Sequence, residues 1–342
     1  MDIELKRQAI DRALERLSPQ ETDCRLCPRE CRVNRTAGRP GFCGEGSQAG
    51  VGRGLLHYGE EPVLSGYEDW PARKALASTP HRGSGTIFFR SCSLRCLFCQ
   101  NYQLSWLGRG RLVSDEELAG LMLDLQSRGA LNINFVTAGH ILLPVLRGLR
   151  LAYGQGLILP LVWNSSGYER ASVLAELDGI IDIYLPDLKY HSSAVSQRLA
   201  SAPDYFDRAG QAVREMYRQR PRLILDERGI AREGLMIRHL VLPGLYRDSI
   251  RILNWIREQL SPSVCLSLMG QYWPVFRAPA DLRRPLAPEE YRAVLDCAQG
   301  LGFQEIFAQD ETFEPEEHLL PDFDRENPFD WEDPPSHEGG AR

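Results

Sequence analysis

Three cysteines lie within eight residues of one another, just after the short apolar run 86–89. They are Cys92, Cys96 and Cys99, spaced C-x3-C-x2-C. A structural zinc site usually has four protein ligands, and catalytic zinc usually has histidine or carboxylate among its three. Three thiolates with no nearby histidine instead suit a cubane [4Fe–4S] cluster, in which the protein holds three irons and leaves one open. An open iron can be chelated by the amino and carboxylate groups of a bound cofactor.

The alternative reading of this triplet is three buried or disulfide-bonded cysteines. The chain has nine cysteines, and residues 1–17 mix charges throughout, so that no secretory signal is expected. We therefore expect a reducing, cytoplasmic location, where metal explains so many thiols better than disulfides do. No apolar run approaches the roughly 18 residues of a membrane span, so no membrane association is expected.

A second cysteine group precedes the first. Cys24, Cys27 and Cys31 are spaced C-x2-C-x3-C, and Cys43 follows in the string GFCG. We call residues 21–50 the knuckle. This Gly- and Pro-containing span is too small to bury a core of its own, so a metal is expected to fold it. Zinc with four thiolates and a second Fe–S cluster both fit, and the sequence leaves that choice open. Disulfides or unliganded thiols are the remaining alternative.

Both cysteine groups resemble those of a known superfamily. The triplet with Phe98 before its last cysteine is similar to the signature loop of radical S-adenosylmethionine enzymes. The string CLFCQNY (residues 96–102) most resembles the branch related to pyruvate formate-lyase-activating enzyme, and the knuckle is similar to an N-terminal extension found in that branch. The resemblance implies a [4Fe–4S] cluster that binds S-adenosylmethionine and splits it reductively into a 5′-deoxyadenosyl radical. It also implies a low-potential electron donor such as flavodoxin or ferredoxin.

The substrate is less constrained than the cofactor. If the best-known activity of that branch transfers, the substrate is a glycine of a partner glycyl-radical enzyme. A radical enzyme acting on a small molecule or on another protein side chain is the first alternative. A non-catalytic iron–sulfur protein that transfers electrons or serves as a scaffold is the alternative from a different class. Fold and cofactor do not fix the substrate, so all three stay open.

Strand-like and helix-like runs alternate from residue 86 onward. The strand-like runs cover residues 86–89, 131–136, 157–163, 180–185, 235–242 and 264–268. Such alternation predicts an α/β fold built from parallel βα units. Cysteine, glycine or polar residues follow every one of these runs, and in a parallel barrel all carboxyl ends of the strands meet at one face. We predict a partial (β/α)6 TIM-like barrel over residues 85–310, with a doubly wound open sheet as the alternative.

Several residues at these strand ends are candidates for cofactor binding. Arg238 stands between apolar strand residues and is expected to face an anion inside the barrel, an outward salt bridge being the alternative. The Asn164 amide could bind a ribose hydroxyl or merely cap a turn. The resemblance implies that Gly139 lies near the amino group of the cofactor, and that Asp187 and Lys189 lie near its carboxylate. A surface ion pair is the competing reading of those two. His140 has either a ligand-binding or a structural role.

The remaining segments flank the predicted barrel. Residues 1–20 read as a helix, residues 51–84 as a connector that wraps the core, and residues 311–342 as an acidic tail. Residues 309–342 carry 12 acidic and two basic side chains, so the other 308 residues have a net charge of about +4. This weak balance argues against nucleic-acid binding, which usually shows a concentrated basic patch. The tail is expected to be an extended, solvated segment, with a docking role as the alternative.

Overall fold

The fold is known from a computed structural model that describes residues 2–66, 83–308 and 320–329. The strands are β1 (Ala49–His57), β2 (Ser84–Phe89), β3 (Arg111–Val113), β4 (Ile133–Val136), β5 (Leu161–Ser165), β6 (Ile183–Pro186), β7 (Ile224–Leu225), β8 (Ala231–Leu240), β9 (Cys265–Met269) and β10 (Ile306–Ala308). The helices are α1 (Ile3–Leu17), α2 (Pro62–Ser65), α3 (Tyr102–Ser105), α4 (Asp115–Ser127), α5 (Leu142–Gly154), α6 (Ala171–Leu174), α7 (Ser193–Ala200), α8 (Tyr205–Gln219), α9 (Tyr246–Gln259) and α10 (Pro288–Gly300). Among these residues, no helix is long and apolar enough to cross a bilayer.

The order of the strands decides between the two predicted architectures. The sheet runs β10-β9-β8-β6-β5-β4-β2-β1-β3, and every neighbouring pair from β2 to β10 is parallel. Each new parallel strand is therefore added on the same side of the one before. Because crossovers between parallel strands are right-handed, this order keeps the connecting helices on one face of the sheet. A doubly wound sheet would reverse its order at a switch point. The partial-barrel prediction is confirmed, with β10 as a seventh parallel strand.

The two faces of the sheet bury different partners. On the outer face, strand residues such as Phe135 and Trp163 join the core formed with the helices. The inner face carries Val162, Met236 and Cys265, which pack against Leu64 of α2. Successive side chains of a strand point to opposite faces, which explains this division. The barrel interior is thus filled by the protein itself.

Residues 58–66, here called the interior segment, supply that filling. They follow β1, which pairs antiparallel with β2 so that His57 lies opposite Ser84 at the amino end of the sheet. The Asn132 side chain donates to the carbonyl of Leu64 at 2.9 Å. The part of the predicted connector that the structure describes, residues 51–66 and 83–84, begins within β1 and reaches the inner core at Leu64. Tyr67 and Trp70, counted in that connector, lie outside the described residues.

Residues 320–329 pack against the sheet instead of extending into solvent. Phe323 is buried, and its ring lies 5.3 Å from that of Phe88 on β2. The backbone amide of Phe323 donates to the Gln103 side chain at 2.7 Å, and Gln103 in turn donates to Asp322 at 3.0 Å. The expectation of a solvated tail is wrong for this segment, because its two phenylalanines supply an apolar face. Residues 309–319 and 330–342 lie outside the described residues.

Helix α1 is fixed to the barrel by a buried ion pair. Asp2 caps the helix by accepting from the backbone amides of Glu4 and Leu5. Lys6 reaches Asp182 with 2.5 Å between Nζ and Oδ2, and the two side chains are 3% and 12% exposed. Asp182 also accepts from the Leu161 amide at 2.7 Å, so its carboxylate holds α1 and β5 together.

We expect Lys6→Met to lower the free energy of unfolding by about 3 kcal/mol, because it leaves the buried Asp182 carboxylate without its cation. Urea unfolding monitored by circular dichroism measures the change. Arg7→Met is the matched control, since Arg7 pairs with Glu4 at 3.3 Å on the surface and such pairs contribute about 0–1 kcal/mol. Equal midpoints for the two variants would contradict the assigned role of Lys6.

Candidate metal and cofactor site

The three cysteines of the C-x3-C-x2-C triplet lie on the loop that leaves β2 at the carboxyl edge of the sheet. We call residues 90–101 the Cys92 loop. None of the three forms a disulfide. The Leu94 amide donates to the Cys92 sulfur at 3.3 Å, and the Ser105 hydroxyl donates to the Cys99 sulfur at 3.2 Å. Two of the three sulfurs are therefore oriented by a neighbour in or next to the loop, and the Cys96 sulfur accepts from the Tyr190 hydroxyl at 3.8 Å.

Burial controls the ionisation of these thiols. It raises the pKa of Cys92 to about 12 and that of Cys96 to about 11, and it also raises the pKa of Cys99. The charges of the neighbouring cysteines raise the Cys92 pKa further, which shows that the three groups share one environment. At neutral pH such thiols stay protonated unless a cation binds them.

The donor set fits an iron–sulfur cluster by its chemistry. Iron–sulfur clusters are held by cysteine thiolates, and three free, partly buried thiols on one loop can provide them. Within residues 2–66, 83–308 and 320–329, no three His, Cys, Asp or Glu side chains stand close enough together to hold a single metal ion. The fit to a cluster therefore rests on the kind and burial of the donors.

The structure brings Asn164, Asp187, Lys189 and Arg238 together at the same edge of the sheet. Asp187 Oδ2 lies 2.6 Å from Lys189 Nζ, and Asp187 Oδ1 lies 3.0 Å from Arg238 Nε. Arg238 also donates to the Asn164 side-chain oxygen at 2.7 Å. The side chains of the three charged residues are only 15–24% exposed, so Asp187 and Lys189 are not a surface pair. Arg238 faces inward, as expected.

Charge compensation sets the ionisation of this group. Burial alone would raise the pKa of Asp187, but the charges of Lys189 and Arg238 hold it below its usual value. The same Asp187 charge raises the pKa of Lys189 against the opposing effect of burial. Lys189 also lowers the pKa of Cys96, although burial dominates there. The cationic side chain thus lies near enough to the Cys92 loop to favour a thiolate.

Two glutamates of the interior segment complete the network and were missed in the sequence. Arg238 Nη1 lies 3.6 Å from Glu60 Oε2 and 4.0 Å from Glu61 Oε1. Burial raises the pKa of Glu61 to about 7. Burial would also raise the pKa of Glu60, but the hydrogen bond with His57 and the charge of Arg238 bring it below its usual value. The anion that Arg238 faces is therefore supplied by the chain itself.

The turn after β4 brings its glycine close to a buried carboxyl group. A Cβ atom added at Gly139 would lie 2.3 Å from Glu169 Oε1, so the close approach at this glycine is to a protein carboxylate. His140 is buried, and its Nε2 lies 3.1 Å from the Arg90 carbonyl. Burial lowers the pKa of His140 to about 4, so its ring is neutral at pH 7. These contacts favour the structural reading of His140.

The Glu169 carboxyl group is buried and was also missed in the sequence. Both of its oxygens accept from Trp163 Nε1, at 3.1 and 3.0 Å. Burial raises its pKa to about 7, and the hydrogen bonds from Trp163 and Ser165 only partly oppose this shift. No sequence pattern marks this position, because its partner Gly139 is 30 residues away.

In the knuckle, a buried cation contacts two of the four thiols. Cys24, Cys27 and Cys43 are buried, and burial raises the Cys27 pKa to about 12, with further contributions from the other three cysteines. Arg35 Nε donates to the Cys24 sulfur at 3.1 Å, and Arg35 Nη2 donates to the Cys43 sulfur at 3.5 Å. A buried guanidinium next to two sulfurs is best balanced when those sulfurs are anionic, so the knuckle fits a thiolate-bound metal.

Two further cysteines and one aromatic residue near the end of the barrel sequence have packing roles. Cys265 is buried in the inner core, and Cys297 is partly buried against the outer core. Tyr272 is buried, donates to the Leu282 carbonyl at 2.9 Å, and packs edge-on against Phe98 with 5.5 Å between ring centroids. This aromatic contact holds the Cys92 loop against the loop after β9.

Comparisons with known proteins give one sequence relative and several structures of low similarity. No protein-family model matches the chain. The uncharacterized protein MJ0674 of Methanocaldococcus jannaschii is 29% identical over 297 residues, which cover 83% of this chain and 77% of that protein. Native anSMEcpe with bound AdoMet gives a TM-score of 0.43 at 13% identity, over 63% of this chain and 61% of that chain.

A second solved structure has a comparable score. Streptococcus suis SuiB bound to S-adenosylmethionine gives a TM-score of 0.42 at 12% identity, over 71% of this chain and 57% of that chain. The chain thus spans about three fifths of the length of these solved structures. With TM-scores below 0.5, the fold assignment rests on the strand order described above.

We expect Glu169→Gln to change how stability depends on pH. A carboxyl group whose pKa rises from 4.5 when unfolded to about 7 when folded keeps its proton longer in the folded state. Stability is therefore lost as pH rises from about 4.5 to about 7 and is constant above that range. Glutamine cannot ionise. The free energy of unfolding of the variant should therefore rise relative to that of the wild type across this pH range, by up to a few kcal/mol. Urea unfolding at pH 5, 6, 7 and 8 measures the difference; a constant difference would contradict the assignment.

Proposed function

We propose that this chain is a radical S-adenosylmethionine enzyme in which Cys92, Cys96 and Cys99 hold a [4Fe–4S] cluster. One observation carries the proposal: three free, partly buried thiols lie on one loop at the carboxyl edge of a parallel sheet, beside the Asp187–Lys189–Arg238 network. In parallel barrels that edge is where active sites are built. When bound, the cluster would supply the electron that splits the sulfonium bond of S-adenosylmethionine.

The chain's own residues would orient the cofactor through charge. Lys189 and Arg238 offer two cations to a carboxylate, and Asp187 fixes both of them through short ion pairs. Glu60 and Glu61 hold Arg238 from the interior segment, so its Nη1 is already occupied. We therefore expect the cofactor carboxylate to be bound mainly by Lys189. Asn164 and Gly139 remain proposed contacts for the ribose and the amino group.

Aromatic side chains would limit the access of water to the Cys92 loop. Phe276 stacks on Tyr102 with 4.7 Å between centroids, and Trp106 Nε1 donates to the Cys96 carbonyl at 3.0 Å. Together with Phe98 and Tyr272, they surround the loop with apolar surface. Excluding water protects reactive species from side reactions.

The finer proposal concerns the substrate and the partners. The CLFCQNY string favours an activating enzyme, whose substrate is a glycine of a glycyl-radical enzyme and whose electron comes from flavodoxin or ferredoxin. This specificity is tested by incubating the protein anaerobically with deuterated candidates. Transfer of deuterium from the α-carbon of a protein glycine into 5′-deoxyadenosine is the expected result. Transfer from a small molecule or from another side chain would replace this part of the proposal and leave the cleavage reaction in place.

We expect Cys96→Ala to abolish release of 5′-deoxyadenosine from S-adenosylmethionine after anaerobic reconstitution and reduction with dithionite, because the cluster loses one of its three protein ligands. Chromatography of the quenched reaction measures the product. Cys297→Ala is the matched control, since Cys297 lies on α10 and packs against the outer core; its activity should equal that of the wild type.

Two outcomes would contradict the proposed function. A wild-type protein that binds iron but releases no 5′-deoxyadenosine would support the non-catalytic alternative. Unchanged release by the Cys96→Ala variant would show that the triplet is not the cluster site.

A further inference from the structure

The knuckle has no regular element of its own to fix its shape. Between Glu21, which ends a short 3-10 turn after α1, and Ala49, where β1 begins, the described backbone forms no helix or strand. Isolated backbone bonds, such as Cys24 amide to Val33 carbonyl at 3.1 Å, are its main internal contacts. A segment of this kind needs a bound metal to hold one conformation.

Arg35 places a buried positive charge beside two of the knuckle cysteines. Its side chain is buried, and its contacts are to the sulfurs of Cys24 and Cys43 and to the Gly46 carbonyl at 3.3 Å. In the part of the chain that the structure describes, Arg35 forms no ion pair with a carboxylate. A buried cation without a counter-charge is strongly destabilising. Metal-bound thiolates supply that counter-charge.

The knuckle contacts the Cys92 loop on the amino side of Cys92. Glu45 follows Cys43 by two residues and is buried. Its Oε1 accepts from Arg90 Nε at 2.8 Å and from the Ser91 hydroxyl at 2.7 Å. Arg90 and Ser91 immediately precede Cys92, so one carboxylate connects the two cysteine groups.

A second contact holds the carboxyl side of Cys92. Arg29 follows Cys27 by two residues and donates through Nε to the Ser93 carbonyl at 2.8 Å. The same guanidinium lies 3.8 Å from the ring centroid of Phe42, which precedes Cys43. Glu45 and Arg29 therefore hold the residues on the two sides of Cys92. Each of them lies two residues after a knuckle cysteine.

The backbone at Ser91 needs such support. Its φ angle of +66° lies in the left-handed region, which a residue with a Cβ atom adopts at a cost of about 1–2 kcal/mol. Strained conformations persist only where the surrounding structure fixes them. The hydrogen bond from Ser91 to Glu45 provides this restraint, and it sets the direction in which the chain enters Cys92.

We propose that the knuckle is a thiolate metal centre whose loading positions the Cys92 loop through Glu45 and Arg29. The purpose of this positioning rests on the proposed function. The test below does not depend on it. Metal binding fixes Cys27 and Cys43, and their neighbours Arg29 and Glu45 then hold residues 90–93. The knuckle thus affects the Cys92 loop by fixing the position of its backbone.

The test uses the full chain with Cys92, Cys96 and Cys99 all changed to serine, so that only the knuckle offers a thiolate site. Zn²⁺ is added in one arm, and Fe²⁺ with sulfide in the other. Hydrogen–deuterium exchange of the amides of residues 90–95 is then compared with and without metal. We expect loading in at least one arm to slow this exchange by about tenfold or more, the factor for one charge-assisted hydrogen bond. Unchanged exchange in both arms would overturn the proposal.

Substitutions show whether the effect passes through the two contacts. Adding Glu45→Gln to this background should abolish the metal-dependent slowing at residues 90–92, because a neutral amide cannot replace the carboxylate that faces Arg90. Glu21→Gln is the matched control, since Glu21 pairs with Arg147 at 2.5 Å and does not contact the Cys92 loop; it should keep the full response. Equal responses of these two variants would overturn the proposal.

A second variant decides the matter if Glu45→Gln does not fold. Arg29→Gln leaves Glu45 intact and removes the donor to Ser93, so it should abolish the slowing at residues 93–95. A full response there would count against the proposal. None of these measurements involves S-adenosylmethionine, so 5′-deoxyadenosine release by the wild type tests the proposed function separately.

Discussion

The candidate site depends on one constraint, which is that the neighbouring strands from β2 to β10 are all parallel. This shared direction puts the carboxyl ends of β2, β5, β6 and β8 at one edge of the sheet. The Cys92 loop, Asn164, Asp187 and Arg238 therefore meet there although more than 140 residues separate the first from the last. If β6 or β8 ran antiparallel to its neighbours, the residues at its carboxyl end would lie at the opposite edge.

Within that frame, burial decides what each polar group can do. Arg238 is acceptable inside the barrel because Asp187, Glu60 and Glu61 surround it. The negative charge of Glu61 is compensated only in part. Its pKa rises to about 7 because burial outweighs the nearby Arg238 cation. The thiols follow the same rule, since burial keeps them protonated until a metal binds. The cofactor and metal predictions thus follow from desolvation as much as from residue type.

Much of this arrangement could be predicted from the sequence, because it depends on local patterns. Apolar runs located the six parallel strands to within a few residues. The strand ends predicted one shared face, the resemblance pointed to Asp187 and Lys189, and the apolar neighbours of Arg238 predicted that its side chain faces inward. The same reasoning could not find Glu60, Glu61 or Glu169, since nothing periodic surrounds them and their burial depends on packing against distant parts of the chain, such as Arg238 and Gly139. It also treated residues 320–329 as solvated because of their charge, whereas Phe323 and Phe329 determine where they pack.

The interior segment has a consequence for the order of assembly. Leu64 shares a cluster with Met236 and Cys265, so the inner core joins parts of the chain about 170 and 200 residues apart. Contacts of such long range form late in folding, because the loops they close carry a large entropic cost. An incomplete sheet lacking β8 would also lack Arg238, and Glu60 and Glu61 would then have no cation to face. The ion pairs of Arg238 with Asp187, Glu60 and Glu61 therefore form together when β8 joins the sheet.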